Sequence, residues 1–205
     1  MVGLRRSAHR AAWILLAAGV AALVYVGYVT LNARAYQAAA QQHLSALRAS
    51  DVSLPAASPS APLAPTDGDV IGEIDIPRLG LAVAVAQGDS PAILQRGIGH
   101  LTETALPGEA GNVVLAGHRD TFFRPLRRVR VGDAVTLKTP VGDFDYLVES
   151  TAVVSPDDLE VLAPTDARTL TLITCYPFTY IGSAPNRFIV RAREVGSGAR
   201  SKTTK

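Results

Sequence analysis

The chain has 205 residues, with 20 basic and 18 acidic side chains, four histidines and a single cysteine. That length holds one domain plus extensions, and a net charge of +2 excludes the strongly basic footprint of a nucleic-acid binder. The balance is uneven: four arginines precede residue 35 and three basic residues follow residue 195, so 13 basic side chains meet all 18 acidic ones between, and the body is mildly acidic.

Residues 1–10 carry Arg5, Arg6 and Arg10 and no acid, and Ala11 to Leu31 is a run of 21 residues without a charge. A helix of that length rises about 31 Å, the thickness of a bilayer core. Arginines before it predict a cytoplasmic N-terminus and an extracytoplasmic remainder. Ala33-Arg34-Ala35 has the form of a signal-peptidase site, but the apolar run is longer than a cleaved signal uses, so an uncleaved anchor over 11–31 is expected. His9 falls on the cytoplasmic side. Residues 32–66 read as a stalk: Ala/Gln/Leu-rich and helical at first, with His43 solvated, then broken by four prolines.

From Asp67 to Val195 the pattern is that of a folded domain. Val70–Ile76 alternates apolar and polar residues as a half-buried strand does, and Leu81–Val85 is a second strand. Ser90–Gln95 reads as a short helix with Pro91 in its first turn. Gly97 to Gly111 reads as a loop. Asn112–Ala116 is a buried strand ending at Gly117-His118, and Phe122–Leu126 is a helical turn. Ala134–Lys138 and Asp143–Val154 are strands around a Pro140-Val141-Gly142 turn, and a helical piece is expected near Asp157–Leu162. Thr169–Cys175 is a strand rich in Thr, Leu and Ile that stops before Pro177, and Arg187–Val195 is the last strand. Seven or eight short strands with few helices predict an all-β sandwich or barrel. Residues 196–205 are expected to be a disordered tail.

A lone cysteine in an exported chain has no internal disulfide partner. It is either a small buried hydrophobe, an intermolecular linkage point or a reactive thiol. Cys175 stands at the tip of a rigid strand, where a nucleophile can be held. Such a thiol needs a base, and the folded part offers His100 and His118; His118 directly follows a buried strand. It also needs a donor for the oxyanion, and Arg187 lies 12 residues past the cysteine, where a hairpin would return it to Cys175. Arg119, Arg124, Arg127, Arg128 and Arg130 read as a solvated basic face. Asp157, Asp158 and Glu160 carry the side chains of a Ca²⁺ site, but their spacing does not define one, and no metal or cofactor is expected to be required.

Thr171-Leu172-Ile173-Thr174-Cys175 resembles the TLxTC signature of sortases, the membrane-anchored cysteine transpeptidases of bacterial surfaces. Ala116-Gly117-His118-Arg119 resembles their catalytic-histidine motif, and Asn186-Arg187-Phe188-Ile189-Val190 the strand with their catalytic arginine. Thr104–Gly108 and Gly111-Asn112 are similar to the stretch leading into the histidine strand. The resemblance covers about Asp67 to Val195, and Cys-Tyr-Pro-Phe followed by Tyr-Ile-Gly-Ser-Ala-Pro is most like class D.

The resemblance implies a closed eight-stranded β-barrel with one or two short helices. It implies Cys175 as nucleophile, His118 as general acid/base and Arg187 as holder of substrate and oxyanion, with Thr174 and His100 as assisting residues. It implies a groove around Val161, Leu162, Tyr176, Pro177 and Ala184. The expected partners are secreted proteins with an LPxTG- or LPxTA-like sorting signal, an amine acceptor such as a peptidoglycan precursor or a pilin lysine, and the membrane. Two other readings stand beside it: a tethered binding or scaffold domain with an inert cysteine, and an L,D-transpeptidase-like enzyme, whose Ser-x-Gly-Cys-x-Arg signature is absent around Cys175.

Overall fold

The computed structural model describes residues 2–50, 64–180 and 182–198. The chain divides into two compact units, Met1–Tyr36 and Gln37–Lys205. A single helix, α1 (Val2–Ser50), begins in the first and ends in the second. In the first unit it is long and apolar enough to cross a membrane, and its large side chains, Trp13, Leu15, Leu23 and Tyr25 among them, are exposed.

The second unit is a closed barrel. Its strands are β1 (Val70–Ile76), β2 (Leu81–Gln87), β3 (Ile98–His100), β4 (Asn112–Ala116), β5 (Ala134–Lys138), β6 (Asp143–Val154), β7 (Thr169–Tyr176) and β8 (Asn186–Gly198). Their order around the barrel is β1-β2-β3-β4-β7-β8-β6-β5, with β5 closing onto β1. Closure gives every strand a neighbour on both sides over at least part of its length. A four-residue helix, α2 (Pro91–Leu94), connects β2 to β3.

Strand alternation sorts the side chains. Ile74, Ile76, Leu115, Leu137, Leu170, Leu172 and Val190 point inward and are fully buried. Their neighbours in sequence point outward. β4 and β7 are parallel and central, and their near-continuous apolar sequence suits strands covered on both faces.

Residues 37–50, read from sequence as part of a solvated stalk, belong to the barrel unit. Ala40 and Leu44, one turn apart, are buried. Gln37 accepts from Ala84 N at 2.8 Å and donates to Arg96 O at 2.6 Å. The β2–β3 ladder begins only at Val85, so the Gln37 side chain occupies the β2 edge beside its start. Arg48 reaches Asp143 at 2.6 Å. The Pro-rich residues 51–63 lie outside the described residues. The tail also differs from expectation: β8 continues to Gly198, where Gly196 and Ser197 pair with Asp145 and Phe144 of β6. β3, read as loop, is three residues long and contains Gly99, too short to show a period of two.

Candidate active site

Cys175 lies on β7 with its side chain on the outer face, because Leu170 and Leu172 occupy the inner one. Its antiparallel partner on β8 is Arg187. That pairing places the two Cα atoms about 5 Å apart with side chains on the same face. On the other side β4 runs parallel to β7, with Ala116 opposite Ile173. The ladder continues one step, Gly117 N donating to Ile173 O at 3.2 Å. His118 is the next residue, past the end of β4, and is exposed. Cys175 thus has Arg187 as its partner on one side, and on the other side of β7 the exit of β4 leads to His118.

Local contacts hold each of the three. The Thr174 hydroxyl is buried and donates to Gly117 O at 2.7 Å, tying β7 to the residue before His118. Gly117 is required there: a Cβ would approach the Phe123 ring to 2.7 Å. Phe123 is fully buried, and its N–H closes a turn on His118 O at 3.0 Å. Arg187 donates through Nη1 to Asn186 O at 3.1 Å and Ala184 O at 3.4 Å. Cys175 is partly buried and not in a disulfide.

Two loops flank the cysteine. The β6–β7 loop carries a 3-10 turn, Leu159–Leu162, whose start is capped by Asp158 accepting from Glu160 N at 3.1 Å. Asn112, buried on the outer face of β4, donates to Val161 O at 3.0 Å and Ala163 O at 3.2 Å and accepts from the Thr171 hydroxyl at 2.7 Å. It pins this loop over β4 and β7. Val161 lines a cleft of about 210 Å³ with Ile189 and Arg191, which share the outer face of β8 with Arg187. The β7–β8 loop is held by Arg119. That side chain is only 7% exposed and donates to the carbonyls of Pro177 at 3.0 Å, Tyr180 at 2.7 Å and Gly182 at 3.1 Å.

The sequence profile of the sortase domain matches residues 74–195. The chain belongs to the sortase family. Sortase D of Bacillus subtilis is 31% identical over 189 residues, which cover 88% of this chain and 96% of that protein. Among solved structures, a Clostridium perfringens sortase D5 transpeptidase superposes with a TM-score of 0.60 at 35% identity, covering 65% of this chain and 83% of its own. The SrtA sortase from Actinomyces oris gives a TM-score of 0.62 at 28% identity, over 71% and 92%. The expected class D resemblance and the closed eight-stranded barrel are both found, and this sortase is a cysteine transpeptidase by family.

Not every residue singled out from the sortase resemblance meets at Cys175. His100 is fully buried on β3. Its Nδ1 pairs with the Gln87 side-chain amide at 2.9 Å and its Nε2 with Ala105 O at 2.9 Å, so both ring nitrogens serve the fold. Burial holds its pKa below the ordinary value of 6.5. The Thr174 hydroxyl proton is committed to Gly117 O, so Thr174 positions strands rather than offering a free hydroxyl. Tyr176 follows Cys175 and so faces the other way: its ring stacks on Phe188 at 6.1 Å and meets Phe178 edge-on at 6.0 Å. Pro177 and Ala184 contribute carbonyls to Arg119 and Arg187. Leu162 lines a separate cleft with Leu101 and Thr104. Of the arginines read as a solvated face, Arg124, Arg127, Arg128 and Arg130 are exposed, but Arg119 is not. In the sequence Asn112 and Arg119 read only as parts of the motifs leading to His118 and, for Arg119, of a solvated face; the amide opening an apolar strand and the arginine next to the histidine were the available signals of their loop contacts.

Proposed function

We propose that this sortase is anchored in the membrane by α1, N-terminus inside, and cleaves an LPxTG- or LPxTA-like sorting signal after its Thr, transferring the acyl group to an amine. The observation that supports this best is the pairing of Cys175 with Arg187 on a strand whose other neighbour, β4, leads out to His118. The Cys175 thiolate attacks the Thr carbonyl carbon, and the developing oxyanion takes hydrogen bonds from the Arg187 guanidinium. As the C–N bond breaks, the imidazolium of His118 gives its proton to the leaving amine. The thioester is then attacked by an incoming amine, whose proton passes to His118, and the thiolate leaves. The atoms balance: one amide is broken, one is formed, and the enzyme returns to its starting state. The Val161–Ile189–Arg191 cleft extends the outer face and offers a wall for the signal's apolar residues. The acceptor amine belongs to a peptidoglycan precursor or a pilin lysine.

A fluorogenic peptide pair differing only in Gly or Ala at the fifth position tests the substrate, with an added amine as acceptor. Turnover of either peptide, rising with amine and lost in Cys175→Ala, is the expected result. Unchanged cleavage by Cys175→Ala would reduce the domain to a scaffold with an inert thiol.

A further inference from the structure

Arg119 is a buried cation whose nearest carboxylate, Asp120 at 3.3 Å, is itself 67% exposed. Burying a guanidinium costs several kcal/mol unless its N–H groups are satisfied. Here the compensation comes from main-chain carbonyls, and three of them, on Pro177, Tyr180 and Gly182, converge on one side chain. Within the β7–β8 loop itself the described residues show one main-chain hydrogen bond, Tyr180 N to Pro177 O at 3.3 Å. The loop is thus folded around the guanidinium more than upon itself. Gly182, with φ of 99°, adopts a backbone that other residues rarely take, and its carbonyl is one of the three acceptors. The same arginine directly follows His118 in the chain.

We propose that Arg119 is a positioning residue for transpeptidation: it locks the β7–β8 loop to the His118 turn, so that the groove wall beyond Cys175 and the general acid/base keep one fixed spacing. This rests on reading Cys175 and His118 as the reacting pair. A lysine cannot replace it, because a single ammonium lacks the planar fork that spans three separated carbonyls. Preorganised walls matter most for binding an extended peptide and least for the intrinsic reactivity of the thiol.

The test compares Arg119→Met and Arg119→Lys with the wild-type chain by three readouts. Hydrogen exchange of the Tyr180 amide, the loop N–H bonded to Pro177 O, is expected to accelerate at least about tenfold in both variants while β4 and β7 stay protected. The KM for the sorting-signal peptide is expected to rise about tenfold with a smaller change in kcat. The rate and pH dependence of Cys175 modification by methyl methanethiosulfonate are expected to match wild type. Unchanged loop exchange and KM would overturn the proposal. So would a displaced pH profile of thiol modification with KM unchanged, which would place Arg119 in the electrostatics of the thiol instead. Should Arg119→Met fail to fold, Arg119→Lys, which keeps the charge, decides by the same readouts. Loop exchange does not depend on turnover. A chain that processed no peptide would sink the transpeptidase reading, while the exchange data would still report whether the pin exists.

Discussion

His100 lies on β3 and His118 just past the end of the adjacent β4, and the two differ in accessibility. His118 is exposed, whereas His100 is buried with both ring nitrogens occupied. If His118 is the general acid/base proposed above, His118→Ala lowers kcat/KM by at least about 10²-fold without loss of stability. His100→Ala is expected to act on stability instead. Its folded pKa is depressed by burial, so the unfolded chain takes up a proton near pH 6.5 that the folded chain refuses until lower pH. The contribution of neutral His100 to stability is therefore full above about pH 6.5 and declines as pH falls below it. Urea midpoints at about pH 8 and about pH 5 test this, with His100→Gln expected to show the shallower decline. An equal decline in the variant would assign the pH effect to other groups.

At the scale of elements, the site is a property of how β4, β7 and β8 are registered. The Thr174–Gly117 bond and the Phe123 ring beneath Gly117 fix the exit of β4 against β7. Gly117→Ala must displace a fully buried ring, at a cost of about 1–3 kcal/mol, and should lower kcat as His118 shifts with it. A variant with unchanged melting temperature and kcat would show that the Phe123 contact can relax. These strands were legible from their apolar runs and the motifs at their ends, one running up to Gly117-His118 and the other to Cys175. The two loop pins were not. The partners of Asn112 and Arg119 are main-chain carbonyls, which leave no side-chain signature. β3 escaped because three residues carry no periodicity. The fate of His100 depended on Gln87 and Ala105, which only the folded chain brings to it. The orientation of Tyr176 was within reach, because alternation puts it opposite Cys175.

At the scale of the whole molecule, the barrel unit recruits the end of α1. Ala40 and Leu44 bury apolar surface there, a contribution of about 2–3 kcal/mol, while the part-exposed Arg48–Asp143 pair adds under about 1 kcal/mol. A chain beginning at Gln37 is expected to fold and turn over peptide without the apolar segment. A chain beginning at Asp51 should melt roughly 5–10 °C lower, by the usual relation between stability and melting temperature for a domain of this size. Equal melting temperatures would show the packing of residues 37–50 to be energetically idle. The anchoring proposed for the preceding segment is tested separately: membrane fractionation of the full chain should place it in the pellet, extractable with detergent but not with salt.

Transpeptidation through Cys175 requires covalent chemistry at one sulfur, and intact-mass spectrometry reads it directly. The chain from Gln37, mixed with an LPxTG or LPxTA peptide and quenched in acid, should carry one acyl group mapping to Cys175. Adding hydroxylamine or an amine acceptor should discharge that adduct as the corresponding peptide product. An adduct absent from the wild-type chain during turnover, or present in Cys175→Ala, would contradict it.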